Sequence, residues 1–142
     1  MTDRLLPTTE VEETPVPRRR PRRSAEQNRA DILRAATVEF ATHGYAGGRI
    51  TRIVKKASTN PRMIYEQFGS KSALYVATLE NALGALRAEE LTLDVEHLDP
   101  VEGLLSLFDF MSAHFERNVH LVSLLRSENL MKARYMKRSS RM

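Results

Sequence analysis

Arg62, Met63, Glu66 and Gln67 stand within six residues of one another in the stretch NPRMIYEQFGSK, residues 60–71. Arg and Gln are side chains that hydrogen-bond base edges, and apolar atoms can meet thymine methyls. The chemistry on offer is recognition rather than bond-making. No Ser/His/Asp arrangement, phosphate-binding loop or pair of catalytic carboxylates occurs in the chain, and Asp99 and Glu102 are better used as helix caps. The four histidines, His43, His97, His114 and His120, are scattered without ligand spacing, and there are no cysteines. No metal site, no cofactor, no disulfide and no enzyme are therefore expected.

The elements that would position these side chains are short helices. Asn60 followed by Pro61 is a strong helix start: Asn can cap, and Pro at the first position gives up an N–H that would be orphaned anyway. At about 100° per residue, Ile64, Phe68 and Pro61 fall together with Tyr65 at their edge, while Arg62, Met63, Glu66 and Gln67 cover the other side. A helix of two turns is not stable in water, because nucleation is costly. Ile64 and Phe68 must pin it to its neighbours. Immediately before it, residues 49–57 form another short helix with Ile50, Ile53, Val54 and Ala57 on its buried side. Helix, break at residues 58–60, helix is the spacing of a helix-turn-helix, whose second helix enters the DNA major groove.

The rest of the chain supplies the base. SAEQ at residues 24–27 reads as a capping box, and Ile32, Leu33, Ala36 and Phe40 form one apolar stripe before Gly44 ends the first helix. Tyr45 is expected to fold back on the core. Ser70 caps a fourth helix over residues 71–91, with Leu74, Thr78, Leu79, Ala82 and Leu86 inward. After a loop, Asp99-Pro100-Val101-Glu102 starts a strongly apolar helix carrying Leu104, Leu105, Phe108, Met111 and Phe115. A last helix from about residue 119 carries Leu121, Val122, Leu124, Leu125 and Leu130, then fades into the basic KARYMKRSSRM. No strand alternation and no internal repeat is seen. The fold class is all-α.

Charge divides the chain unevenly. Residues 1–17 carry one Arg against four acids, residues 18–75 thirteen Lys/Arg against four, and residues 76–142 eight against ten, within a formal net charge of +4. A basic segment followed by a mildly acidic one suggests a polyanion-binding module joined to something else. Residues 1–23 hold four prolines and few apolar residues, and read as disordered. Their last six, RRRPRR, hold Arg18, Arg19, Arg20, Arg22 and Arg23, which are expected to serve as an accessory arm to phosphates or the minor groove, with a solubilising tail as the plainer alternative. Leu5 and Leu6 are followed at once by Pro7, which leaves no signal-peptide core, and no apolar run spans a bilayer. A soluble, cytoplasmic protein is expected.

The stretch ILRAATVEFATHGYAGGRITRIVKKASTNPRMIYEQFGSKSALY resembles the DNA-binding domain of the TetR family of bacterial transcriptional repressors. The shared pattern is Ile32-Leu33, Ala35-Ala36, Phe40 with Gly44-Tyr45, Ile53, Ala57, Tyr65-x-x-Phe68, Ser70-Lys71 and Leu74. Residues 100–104 and the Leu124-Leu125-x-x-Glu128 stretch also resemble early regulatory helices of many members. The resemblance implies a helix-turn-helix unit over residues 24–70 and a shortened helical regulatory domain over residues 71–142. It implies base or phosphate contacts at Pro61, Arg62, Met63, Tyr65 and Gln67, a phosphate grip by Lys71, and flanking backbone contacts from Thr51 and Arg52. It implies double-stranded DNA as partner, dimerisation, and release by a small effector. Three positions depart from the pattern: Arg49 where a capping Thr is frequent, Val54 where a small Ala is usual, and Ser58 where the turn usually has Gly.

The chain stops near the middle of the family's regulatory domain, so a truncated regulator is also expected: weakly self-associating, binding no operator alone, or pairing with an intact relative. A third reading is a nonspecific nucleic-acid binder driven by the arginine tail. The apolar helices after Pro100 could line a pocket for a small apolar effector; plain core is the favoured expectation.

Overall fold

The computed structural model describes residues 24–139. Among them the order is α1 (Ala25–Gly47), α2 (Ile50–Ala57), α3 (Pro61–Phe68), α4 (Lys71–Glu90), α5 (Pro100–Arg117), α6 (Val119–Leu130) and a 3-10 turn, Met136–Arg138. No strand occurs among the described residues, in line with the all-α expectation. The arginines 18, 19, 20, 22 and 23 lie outside the described residues.

The helix starts follow their sequence signals. Ser24 accepts from the Gln27 N–H while Gln27 accepts from the Ser24 N–H. Asn60 accepts from Met63 N–H, Ser70 from Ala73 N–H, and Asp99 from the N–H groups of Val101 and Glu102. These bonds satisfy amides that have no partner inside the helix.

α1 is the central post. It packs against α2, α4 and α6, while α3 rests on α4 and α2. Ile32, Ala36 and Phe40 of α1, Ile53 of α2, Ile64 of α3 and Leu74, Tyr75 and Leu79 of α4 are all fully buried in one core. α1 does not simply stop at Gly44. The backbone kinks there at φ 66° and ψ 178°, then completes one more turn to Gly47. That conformation lies in a region almost exclusive to glycine, and it is not the left-handed cap expected.

The turn between α2 and α3 is where a departure from the family pattern has a cost. Ser58 is left-handed, at φ 52° and ψ 45°, a conformation that crowds Cβ against the backbone. Ser58→Gly is therefore expected to raise stability by about 0.5–1 kcal/mol, the relieved strain less glycine's extra chain entropy. A thermal melt reads this as an increase of roughly 4 °C. An unchanged melting temperature would show that Ser58 sits there without strain.

Three expectations about packing need correction. Pro61 is exposed, because the first turn of α3 projects beyond its partners. Gln67 and Met63 are half-buried rather than outward, since α3 leans on α4 along that flank. Tyr75, to which the sequence reading assigned no place, is fully buried at the centre of the core. The favoured core role for the apolar side of α5 fails: Leu104 and Phe108 are 66% and 67% exposed, and Leu105 also faces outward. α5 packs chiefly against α6, so only His114 of that helix is buried.

Candidate nucleic-acid interface

α3 is pinned from three sides. Ile64 is fully buried, Phe68 is nearly so, and the Arg29 guanidinium of α1 lies 4.4 Å from the Phe68 ring centroid. This leaves Pro61, Arg62, Tyr65 and Glu66 on the open face, with Tyr65 half exposed. Arg62 donates from Nε to Oε1 of Glu66 at 2.6 Å, an i,i+4 pair along the helix surface. The carboxylate raises the Arg62 pKa and holds one edge of the guanidinium fork. The Nη1 and Nη2 edge remains the part of the fork that can address a base.

The eight residues named from the sequence are not equally placed. Arg62 and Tyr65 share the open face of α3, and Pro61 stands at its tip. Met63 and Gln67 lie on the flank, and the Gln67 Oε1 is enclosed without a hydrogen-bond partner among the described residues. Thr51 is exposed on α2. Lys71 opens α4 half-buried, its Nζ 4.8 Å from the centroid of the Tyr45 ring. Arg52 is exposed on α2 but tied down at the surface: Nε donates to Glu39 Oε1 at 2.8 Å and Nη2 to the Gly47 carbonyl at 2.8 Å.

Glu39 is a residue that the sequence reading passed over. It is buried on α1, and besides Arg52 it accepts the Arg49 N–H at 2.9 Å. Arg49 is the residue before α2 and makes no side-chain cap; Glu39 supplies from α1 the acceptor for the N-cap amide that the third helical residue supplies in a capping box. Burial pushes the Glu39 carboxyl up, but the Arg52 and Arg49 bonds and the charges of Arg52 and His43 outweigh it and hold the carboxyl below its ordinary 4.5. A depressed carboxyl stabilises the fold above its unfolded value and loses that contribution as pH falls through the folded value. The start of α2 should thus loosen below about pH 4.5. Amide exchange at Arg49 against pH is the measurement, and Glu39→Gln should flatten its acid limb. An acid limb that survives Glu39→Gln would assign it to another group.

A second surface feature is an open cleft of about 610 Å³ lined by Phe115, Val122, Leu125, Arg126, Asn129, Ala133 and Met136. No group of three or more His, Cys, Asp or Glu residues that could hold a metal occurs among the described residues. No described helix is long and apolar enough to cross a membrane.

This geometry has a family. Residues 32–78 match the profile of bacterial regulatory proteins of the tetR family, and residues 100–142 match the tetracyclin repressor-like C-terminal domain. The chain belongs to the TetR family. Its relatives include the HTH-type transcriptional repressor NicS of Pseudomonas putida, 35% identical over 115 residues, 81% of this chain and 54% of NicS. The HTH-type transcriptional repressor SCO4008 of Streptomyces coelicolor is 38% identical over 95 residues, 66% of this chain and 47% of the relative. The crystal structure of SCO4942 from Streptomyces coelicolor superposes with a TM-score of 0.60 at 35% identity, covering 78% of this chain and 57% of that one. A HlyIIR mutant, at 24% identity and a TM-score of 0.64, shares the fold over 80% of this chain and 62% of its own. The TetR chain described here thus spans about half the length of the curated relatives it matches.

Proposed function

We propose that this TetR-family chain is a sequence-specific DNA-binding transcriptional regulator of the repressor type, with α3 as the helix that enters the major groove. The observation that carries the reading is the two-sided character of α3: Ile64 and Phe68 fix it to the core while Arg62 and Tyr65 stand open on the other face. The repressor names of NicS and SCO4008 support the same reading. The division of the chain into a DNA-reading unit at residues 24–70 and a helical unit from residue 71 belongs to this proposal.

Roles follow from placement. Arg62 reads a guanine through Nη1 and Nη2 while Glu66 steadies Nε. Tyr65, Pro61, Met63 and Gln67 complete the groove contact, with Gln67 turning its amide outward on binding. Lys71 and Thr51 meet phosphates and set register. Arg52, tied to Glu39, keeps its Nη1 for the flanking backbone and otherwise fixes the start of α2. Two copies reading two half-sites would gain affinity from linkage. An apolar effector would have the Phe115–Met136 side of α6 as its resting place, along the cleft of about 610 Å³.

The test is selection of bound duplexes from random DNA with the 142-residue chain, followed by two variants on the best site. Arg62→Ala is expected to cost roughly 1–3 kcal/mol and to relax preference at one base position. Lys71→Ala should weaken all sequences alike and lower the salt slope by about 0.9. If both variants lose affinity with an unchanged base profile, Arg62 does not read a base. If selection recovers no preferred sequence, the specific-regulator reading fails.

A further inference from the structure

The last turn of the described residues is strained, and a buried carboxylate fastens it. Lys132 and Ala133 follow each other in left-handed conformation, at φ 56° and 55°, although neither is glycine. Such backbone persists only where its surroundings over-determine it. Main-chain bonds from Lys132 to the Asn129 carbonyl and from Ala133 to the Glu128 carbonyl close the turn, and the side chain of Glu128, fully buried on α6, fastens the segment that follows: Oε2 accepts the N–H of Tyr135 and of Met136, both at 3.0 Å.

The fold of the turn places one ring. Tyr135, 5% exposed, sits 4.4 Å from the Tyr45 ring and 5.1 Å from that of Tyr75, centroid to centroid. Tyr45 follows the Gly44 kink, where α6 comes so near that a Cβ on Gly44 would lie 3.6 Å from the Ser127 hydroxyl. The Tyr45 ring in turn has the Lys71 ammonium 4.8 Å from its centroid, within reach of a cation–π attraction. A continuous set of contacts therefore runs from Glu128 through Tyr135 and Tyr45 to the first residue of α4.

We infer that the Glu128-held turn is a clasp that positions Lys71 through Tyr135 and Tyr45, so that a segment more than sixty residues away in sequence sets how firmly the lysine is presented to DNA. Glu128, Tyr135 and Tyr45 are positioning residues in this scheme, and none of them touches the nucleic acid. The inference rests on the proposed phosphate contact of Lys71. Its physical basis is entropic: a lysine already steered by an aromatic face loses less rotamer freedom on binding than one free in solvent.

The test uses the 142-residue chain and the duplex it selects from random DNA. In the free protein, the Lys71 side-chain protons should carry an upfield ring-current shift from Tyr45; shifts at random-coil values in the unsubstituted chain would overturn the clasp outright. Tyr135→Leu and Glu128→Ala should each move those protons toward random-coil values. Both should weaken binding about three- to tenfold and lower the salt slope by up to ~0.9. Glu128→Ala keeps every aromatic ring, so it serves if Tyr135→Leu fails to fold by circular dichroism. Glu128→Gln retains an acceptor for the two amides and should rescue most of the loss. In a Lys71→Ala background, Tyr135→Leu should add nothing. A Tyr135→Leu or Glu128→Ala protein that is folded, with unmoved Lys71 resonances and an unchanged slope, overturns the clasp. If Lys71→Ala itself leaves the slope unchanged, the phosphate contact is what fails, and the resonance shifts still decide whether the clasp holds the lysine.

Discussion

Phe68→Ala is expected to cost about 3–5 kcal/mol, the usual penalty for truncating a buried aromatic, and to release α3 before the rest of the chain. The magnitude follows from what Phe68 does. α3 has eight residues, too few to be helical by propensity, and its tertiary anchors are Ile64 and Phe68. Removing Phe68 opens a cavity and deprives the Arg29 guanidinium of the ring it covers. Total stabilities of small domains are of the same order as this loss, so global unfolding at moderate temperature is part of the expectation. Chemical denaturation with amide exchange on residues 61–68 is the measurement. A variant that melts with the parent would mean that the other side of α3 carries the packing.

Deletion of residues 1–23 is expected to change DNA binding more than any single substitution. If all five arginines of RRRPRR meet phosphates, their loss reduces the salt slope by about 4.5, at ~0.9 per contact. Between 50 and 200 mM salt that corresponds to a relative change of roughly 500-fold at most. The preferred sequence should stay the same, because phosphate contacts carry no direct base information. Titrations of the selected duplex at four salt concentrations distinguish the outcomes. An unchanged slope removes the arm from the interface. A lost sequence preference would give the arm a groove-reading role, as in minor-groove arms.

The start signals of α1, α3, α4 and α5 were legible in the sequence because capping is local chemistry. Ser24, Asn60, Ser70 and Asp99 each accept from an amide two or three residues ahead, so residue type and spacing contain the whole interaction. The buried stripe of α1 and the Ile64/Phe68 pin were legible for a related reason: helical periodicity fixes which side chains share a face. That was enough to recognise the helix-turn-helix and the open Arg62 face.

Contacts at long separation were not legible. Glu39 accepts the amide that precedes α2 from ten residues back, His114 of α5 meets Glu89 of α4 at 2.9 Å, and Tyr45, Tyr75 and Tyr135 converge from α1, α4 and the turn after α6. Each looks ordinary in its own window, where a Glu on α1 or a Tyr near the end has no visible partner. Nor could periodicity say that the apolar side of α5 stays open, since a stripe shows which residues share a face and not whether anything arrives to cover it. The sequence alone determined the helices, their order and the recognition motif. Only the tertiary structure decided which exposed guanidinium is tied to a buried carboxylate, as Arg52 is to Glu39, and which stays on an open face, as Arg62 does. Local hydrogen bonds and periodicity are functions of neighbouring residues, whereas burial and pairing depend on how α1 arranges the helices around it.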